Sequence, residues 1–244
     1  MEGPSVHRIA DRLQHFKEQI IEHVDGNARQ PKEWLQGQII TNVRAVKKRL
    51  FIETAGATAV IHFLMYGSYR VNERRELDER LSLYCSQDDL HLYSCSAKVL
   101  RPDSDILAEY DDPAGDVLSP QFDRQRAIRS TRSDERAITD VLLDQNIYGG
   151  IGNILKNEIL YAERIHPASR ASAIKKEHVA SLVTAAVDHA TAWYQRKTAG
   201  TRREWTVYRQ HTCPACGGEL TRKKMGAYDR ITFFCERCQQ RYPG

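Results

Sequence analysis

Apolar residues recur at two different periods along this chain, and the change of period divides it. From Ser5, the positions Val6, Ile9, Leu13 and Phe16 fall at helical spacing, with Ser5 placed to cap the first turn. After Gly37 the period shortens. The stretches QIITNVRAVKKRLFIET, TAVIHFLMYGSYRV and LSLYCSQDDLHLYSC carry β-branched and aromatic residues in short, often alternating runs. The polar SQDD reads as a hairpin turn, so a helix leading into antiparallel β-structure is expected. Residues 101–120 are acidic, contain Pro102, Pro113 and Pro120, and lose periodicity, which places a domain boundary there. Helical spacing then returns at Ile138, Val141 and Leu142, at Leu155, Ile159 and Ala162, and through KKEHVASLVTAAVDHATAWY. From about Thr206 the composition changes again. There is no internal repeat and no low-complexity tract.

The 244 residues suffice for one large domain or two modest ones. No apolar run approaches ~20 residues, which argues against a membrane span. The start lacks a basic stretch followed by an apolar one, so no secretory signal is read and a cytoplasmic protein is expected. The net charge of +4 is unevenly placed: residues 201–244 hold nine Arg and Lys against four Asp and Glu, which leaves the remainder at −1. A basic C-terminal segment fits a polyanionic partner, and equally a solvated tail.

CPAC and CERC supply Cys213, Cys216, Cys235 and Cys238, two C-x-x-C pairs at the spacing of a tetrahedral four-thiolate zinc site. Disulfides are disfavoured in a reducing compartment, and a redox C-x-x-C needs no second pair. With sulfur at every position, such a zinc holds a fold and leaves no site for water. Cys85 and Cys95 fall on predicted strands as core thiols.

In LLDQNIYGGIGNILKNEIL two apolar helices flank a turn containing Gly149, Gly150 and Gly152, with Asn153 where the second helix begins. Glycines permit close backbone approach, and free N–H groups at a helix start favour phosphate. A plain helix–helix corner with Asn153 as its cap fits as well. The Lys-Ser/Thr of a mononucleotide loop is missing.

MEGPSVHRIADRL at the start, LLDQNIYGGIGNILKNEILYAERIHP in the middle and the four-cysteine segment at the end give the chain its resemblance to the formamidopyrimidine-DNA glycosylase/endonuclease VIII family, closest to bacterial endonuclease VIII-like members. The resemblance spans essentially the whole chain. It implies an α+β protein: an N-terminal antiparallel β-sandwich with flanking helices over 1–115, a helix–two-turn–helix domain over 116–205 and a zinc finger over 206–244, holding one structural Zn2+. It also implies a monomeric DNA glycosylase and AP lyase acting on damaged DNA, duplex or single-stranded, away from membranes, in a bacterial cytoplasm beside the nucleoid.

The family excises a base through a Schiff base between a terminal amine and C1′ of deoxyribose. An α-amine has a pKa of ~7.7–8.0 against ~10.4 for lysine, so part of it is already nucleophilic where lysine needs ~3 kcal/mol of help. The family commonly begins Met-Pro-Glu-Gly-Pro, whereas this chain reads Met-Glu-Gly-Pro. Glu2 is too large for routine removal of the initiator, so Met1 takes the nucleophile's place. By the same resemblance Glu2 is the catalytic glutamate. Lys48 contacts DNA near the reacting sugar, with Lys47 and Arg49 as surface strand charges. Asn153 and Arg230 hold phosphates, and Arg230 assists the second elimination. Leu64, Met65 and Tyr66 enter the duplex once the base is flipped, filling a gap that costs a few kcal/mol to open. The Pro-Arg-Arg-Phe of the 8-oxoguanine branch is replaced by YSCSAKVL, which tilts the expected substrate toward oxidised pyrimidines.

Overall fold

The short period after Gly37 becomes an antiparallel sheet. The computed structural model describes residues 1–201 and 204–243, and the chain divides into two compact units, Met1 with Gly3–Asp112, and Glu2 with the residues from Pro113 onward.

In the first unit, helix α1 spans Gly3–Arg12. It starts ahead of the expected cap: Gly3 and Pro4 lie inside its first turn, where a missing proline N–H removes no intrahelical bond, so Ser5 is helical. Val6, Ile9, Leu13 and Phe16 are all buried, the last in a short 3-10 turn. Strands β1 (Ile21–Asp25), β2 (Ile40–Val46), β3 (Arg49–Thr54), β4 (Thr58–Val71), β5 (Leu81–Cys85) and β6 (Asp89–Leu100) pair in the order β1-β5-β6-β4-β3-β2. All neighbours are antiparallel. The two edges meet, because Ile20 bridges Ile39, Ile21 N–H donates to Gln38 at 2.9 Å and Ile40 N–H donates to Gln19 at 3.0 Å. The expected sandwich is thus one curled sheet, which leaves few unpaired edge groups. Its inside carries Ile21, Leu50, Ile52, Ile61, Phe63 and Leu92 against α1. Helix α2 (Asp105–Tyr110) forms within the acidic, proline-containing stretch.

The second unit contains α3 (Arg124–Arg132), α4 (Ile138–Val141), α5 (Asn153–Ala162) and α6 (Lys176–Thr198), then the hairpin β7 (Thr221–Met225) and β8 (Arg230–Phe234). Helix α4 is a single turn, although Ile138, Val141 and Leu142 are all buried as their spacing requires. Its core joins these to Leu155, Ile159, Leu182 and Trp193. Among the described residues, no helix is long and apolar enough to cross a membrane.

Candidate active site

The glycine turn ahead of α5 is shaped around one carboxylate. A helix start leaves its first N–H groups without intrahelical acceptors, and Gly152, at the cap position, has no side chain to offer them. Glu2 supplies the acceptor from far away in sequence. Its Oε2 accepts from the N–H groups of Gly152 at 3.1 Å and Leu155 at 3.3 Å, and its Oε1 from Ile154 at 2.7 Å. The negative carboxylate also lies at the positive end of the helix dipole. Gly152 is extended (φ −122°), so its backbone has no need of glycine. Space is the requirement: a methyl group here would sit 2.7 Å from Glu2 Oε1 and closer still to Cγ and Cδ. The N–H groups that the sequence offered to a phosphate therefore hold Glu2, and Asn153 is the first helical residue, not the cap.

The polar edge of α5 grips the C-terminal hairpin. Asn153 Nδ2 donates to Ile231 O at 2.9 Å, Lys156 Nζ to Thr232 Oγ1 at 2.7 Å, and Asn157 Oδ1 accepts from Phe233 N–H at 2.7 Å. Asn153 Oδ1 is buried with no hydrogen-bond partner among the described residues. Lys156 is fully buried, and desolvation pushes its amine down to about 7, with Asp140 and Glu2 pulling it up and Arg230 pushing it down. The buried Glu158 carboxylate accepts from the N–H groups of Thr206, Val207 and Tyr208 at 2.8, 2.9 and 3.0 Å, tying down the segment that enters the finger. Helix α5 thereby brings together Glu2, Asn153 and the strand that begins with exposed Arg230.

The ligand atoms of Cys213, Cys216, Cys235 and Cys238 all lie within 4.8 Å of one another. Cys213 and Cys238 Sγ are 3.8 Å apart, and Cys216 and Cys235 Sγ 3.6 Å. Metal–sulfur bonds of ~2.3 Å in a tetrahedron give sulfur–sulfur edges of about 3.8 Å, so the four residues fit a metal ion. Cys85 and Cys95 are buried on strands, their thiols pushed by desolvation up to about 12 and about 11.

In the first unit the Met1 amine donates to Phe63 O at 3.4 Å. Just beyond, the β4–β6 ladder slips between Phe63 and Ser68. Leu64, Met65 and Tyr66 project from this bulge with 51%, 71% and 82% exposure, whereas a strand in the core would bury alternate members. Gly67 permits the bulge, since a methyl group there would lie 2.8 Å from Phe63 Cβ. Lys48 sits in the β2–β3 turn, next to Arg49, which faces His62 across the ladder. Burial, then Arg49, the terminal amine and Lys48, push His62 below its ordinary value. The expectation for Lys47 is corrected: it is buried and ion-paired to Asp112 at 3.0 Å because the tight turn directs it inward. Arg49 lies 4.0 Å from the Tyr110 ring centroid. The sequence singled out Gly152 but not its occupant, and it gave no sign of Lys156, Asn157, Glu158, Asp140 or His62 beyond the four polar or charged positions in NILKNE, which mark a helix edge with work beyond solvent contact.

A curled antiparallel sheet, a glycine-turn helix pair and a four-cysteine hairpin define the architecture of the DNA glycosylases that carry a helix–two-turn–helix element. Residues 1–97 match the formamidopyrimidine-DNA glycosylase N-terminal domain and residues 114–202 the formamidopyrimidine-DNA glycosylase H2TH domain. The chain belongs to the formamidopyrimidine-DNA glycosylase/endonuclease VIII family. It is 34% identical over 197 residues to endonuclease 8-like 2 of Bos taurus, covering 74% of this chain and 58% of that protein. It is 29% identical over 225 residues to endonuclease 8-like 3 of Xenopus laevis, covering 86% of this chain and 36% of that protein. The chain thus spans between about a third and just over half of these relatives. A Lactococcus lactis formamidopyrimidine-DNA glycosylase, solved non-covalently bound to AP-site DNA, shares the fold with a TM-score of 0.85 at 21% identity, over 99% of this chain and 100% of that one. The expected location, a bacterial cytoplasm beside the nucleoid, is overturned: these endonuclease 8-like relatives are animal proteins, and nothing in them indicates the cytoplasm.

Proposed function

We propose that this chain is a base-excision-repair DNA glycosylase with AP lyase activity, removing oxidised bases, pyrimidines preferred, through a Schiff base on the Met1 amine and β/δ-elimination. The observation that carries the reading is the Glu2 carboxylate, next to the terminal residue, fixed by three backbone donors in a turn that leaves it just enough room. A disordered terminal glutamate would need no such cradle. Solved relatives bound to AP-site DNA and to Fapy-dG DNA support damaged DNA as the substrate class.

In this reading the Met1 nitrogen bonds to C1′, the damaged base leaves with the electrons of the glycosidic bond, and Glu2 handles the proton at the opening sugar oxygen. The imine then acidifies C2′, and the 3′-phosphate and afterwards the 5′-phosphate depart. Lys48 sits near the reacting sugar and assists elimination. Arg230 grips the flanking phosphates, as a bidentate guanidinium suits, and assists the second elimination. Asn153 binds a phosphate once its amide leaves Ile231. Leu64, Met65 and Tyr66 offset part of the unstacking penalty by filling the vacated space. A zinc ion on the four cysteines stabilises the finger that bears Arg230 and takes no part in bond-making. Pyrimidine preference rests on YSCSAKVL in place of the opposite-strand motif.

Met1 in place of the family's proline favours a second reading, a damage-binding protein on the same scaffold. Single-turnover incubation with a duplex containing one oxidised pyrimidine separates the two. A glycosylase/lyase releases the base and leaves phosphate-ended fragments. A binder retards the duplex and leaves both strands whole, which would end the enzymatic reading.

A further inference from the structure

Arg230 follows directly on the tip of a two-stranded hairpin, and isolated hairpins of this kind are marginally stable. The tip nevertheless has a fixed anchor. Asp140, buried on α4, turns its carboxylate to the Ala227 N–H, which lies 2.9 and 3.1 Å from its two oxygens. Gly226 makes the approach possible on two counts. Its φ of +73° belongs to the left-handed region, and a methyl group there would sit 2.8 Å from Asp140 Cγ and closer still to Oδ1. On the far side of Arg230 the strand is held by Asn153, Lys156 and Asn157 at Ile231, Thr232 and Phe233. Thr232 Oγ1 returns a hydrogen bond to the Arg230 carbonyl at 3.1 Å. The backbone of Arg230 is therefore pinned three residues before and one residue after, and its exposed side chain leaves from a fixed point. A buried carboxylate is expensive unless it is hydrogen-bonded, and the Ala227 N–H supplies that partner to Asp140.

We propose that Asp140 is a positioning residue for Arg230: by holding the Ala227 N–H it aims the guanidinium at the DNA phosphates. The inference rests on the reading of Arg230 as a phosphate-gripping residue. A merely structural aspartate would lower affinity whether or not Arg230 were present, whereas a positioning residue acts only through it.

The test is a double-mutant cycle on the full zinc-loaded chain, measuring affinity for a duplex with a tetrahydrofuran abasic analogue across a salt series. Asp140→Ala should weaken binding about tenfold and lower the salt slope by about one unit, as loss of one phosphate contact does. Asp140→Asn keeps an oxygen for the Ala227 N–H and should restore most of the affinity. Gly226→Ala reaches the same contact from the exposed hairpin tip, so it should reproduce the loss even if Asp140→Ala folds poorly. The double variant Asp140→Ala/Arg230→Ala should bind no more weakly than Arg230→Ala. Multiplied losses in the double variant, or wild-type affinity in Gly226→Ala beside a weakened Arg230→Ala, would overturn the inference alone. Wild-type affinity in Arg230→Ala would overturn the phosphate reading and the inference with it.

Discussion

Replacing Gly152 by alanine adds a single methyl group, and the structure says where it goes. The residue is extended (φ −122°), so alanine brings no backbone strain. The added carbon would lie 2.7 Å from Glu2 Oε1 and nearer to Cγ and Cδ, so the Glu2 side chain must move by about 1 Å to reach ordinary contact. That side chain is flexible and only partly buried, so the fold should absorb the change. What is lost is alignment with three donors, each a hydrogen bond to a charged group worth about 1.5–3 kcal/mol. A misplacement of this size at a reacting centre typically lowers the rate about a hundredfold, equivalent to about 2.7 kcal/mol in the barrier. Single-turnover base excision should therefore fall by about two orders of magnitude in Gly152→Ala. The circular dichroism spectrum and affinity for abasic-analogue DNA should stay near wild type, while the melting temperature falls by what the weakened bonds contributed. Combining Gly152→Ala with Glu2→Gln should be no worse than Glu2→Gln, because both act on one group. Wild-type excision by Gly152→Ala would refute the argument that this turn exists to seat Glu2.

Three further outcomes follow from other parts of the molecule. Zinc removal or Cys235→Ser should abolish DNA binding while the curled sheet stays folded, since metal binding supplies ~10–16 kcal/mol to a small finger; circular dichroism and gel retardation read the two separately, and full affinity without metal would count against it. Asn153→Ala and Arg230→Ala should each weaken binding to damaged and undamaged duplex alike and lower the salt slope by about one unit; an altered lesion choice at unchanged affinity would contradict the phosphate assignments. Lys156 lies at about 7 folded against the ordinary lysine value of 10.5, so between those values the unfolded chain binds the extra proton and stability from this group rises with pH. Denaturant midpoints should accordingly show wild type gaining on Lys156→Met from pH 7 toward about pH 10, and a constant difference would mean that burial does not depress this amine.

What the sequence made legible was local. Two C-x-x-C pairs name the ligands of a four-sulfur site because each pair closes within one turn, and the structure gathers all four. Helical periodicity marked α1, α5 and α6, since each buries one face, and alternation marked the strands of the curled sheet. The capping of α5 was hidden because its acceptor, Glu2, stands 150 residues before Gly152. Asp140 and Ala227 are 87 residues apart, which conceals their contact equally well. Ser5 looked like a cap because sequence favours a hydroxyl there, yet Pro4 is compatible with a first turn and the helix begins earlier. Resemblance alone assigns Leu64, Met65 and Tyr66 to the duplex; the slip in the β4–β6 ladder that leaves them exposed has no signal in the sequence. For Met1, Glu2, Lys48 and Arg230 the functional assignments came from family resemblance, and periodicity had nothing to say about them.

The amine of Met1 is the proposed nucleophile, and trapping identifies the nitrogen that bonds to DNA. The protein is incubated with abasic-site DNA and borohydride, the covalent adduct is digested, and the DNA-bearing peptide is identified by mass. A reduced Schiff base is expected on the peptide that begins with Met1, with loss of the adduct when residues are fused ahead of Met1. An adduct on the peptide containing Lys48, or no adduct from protein that binds the same DNA tightly, would contradict it.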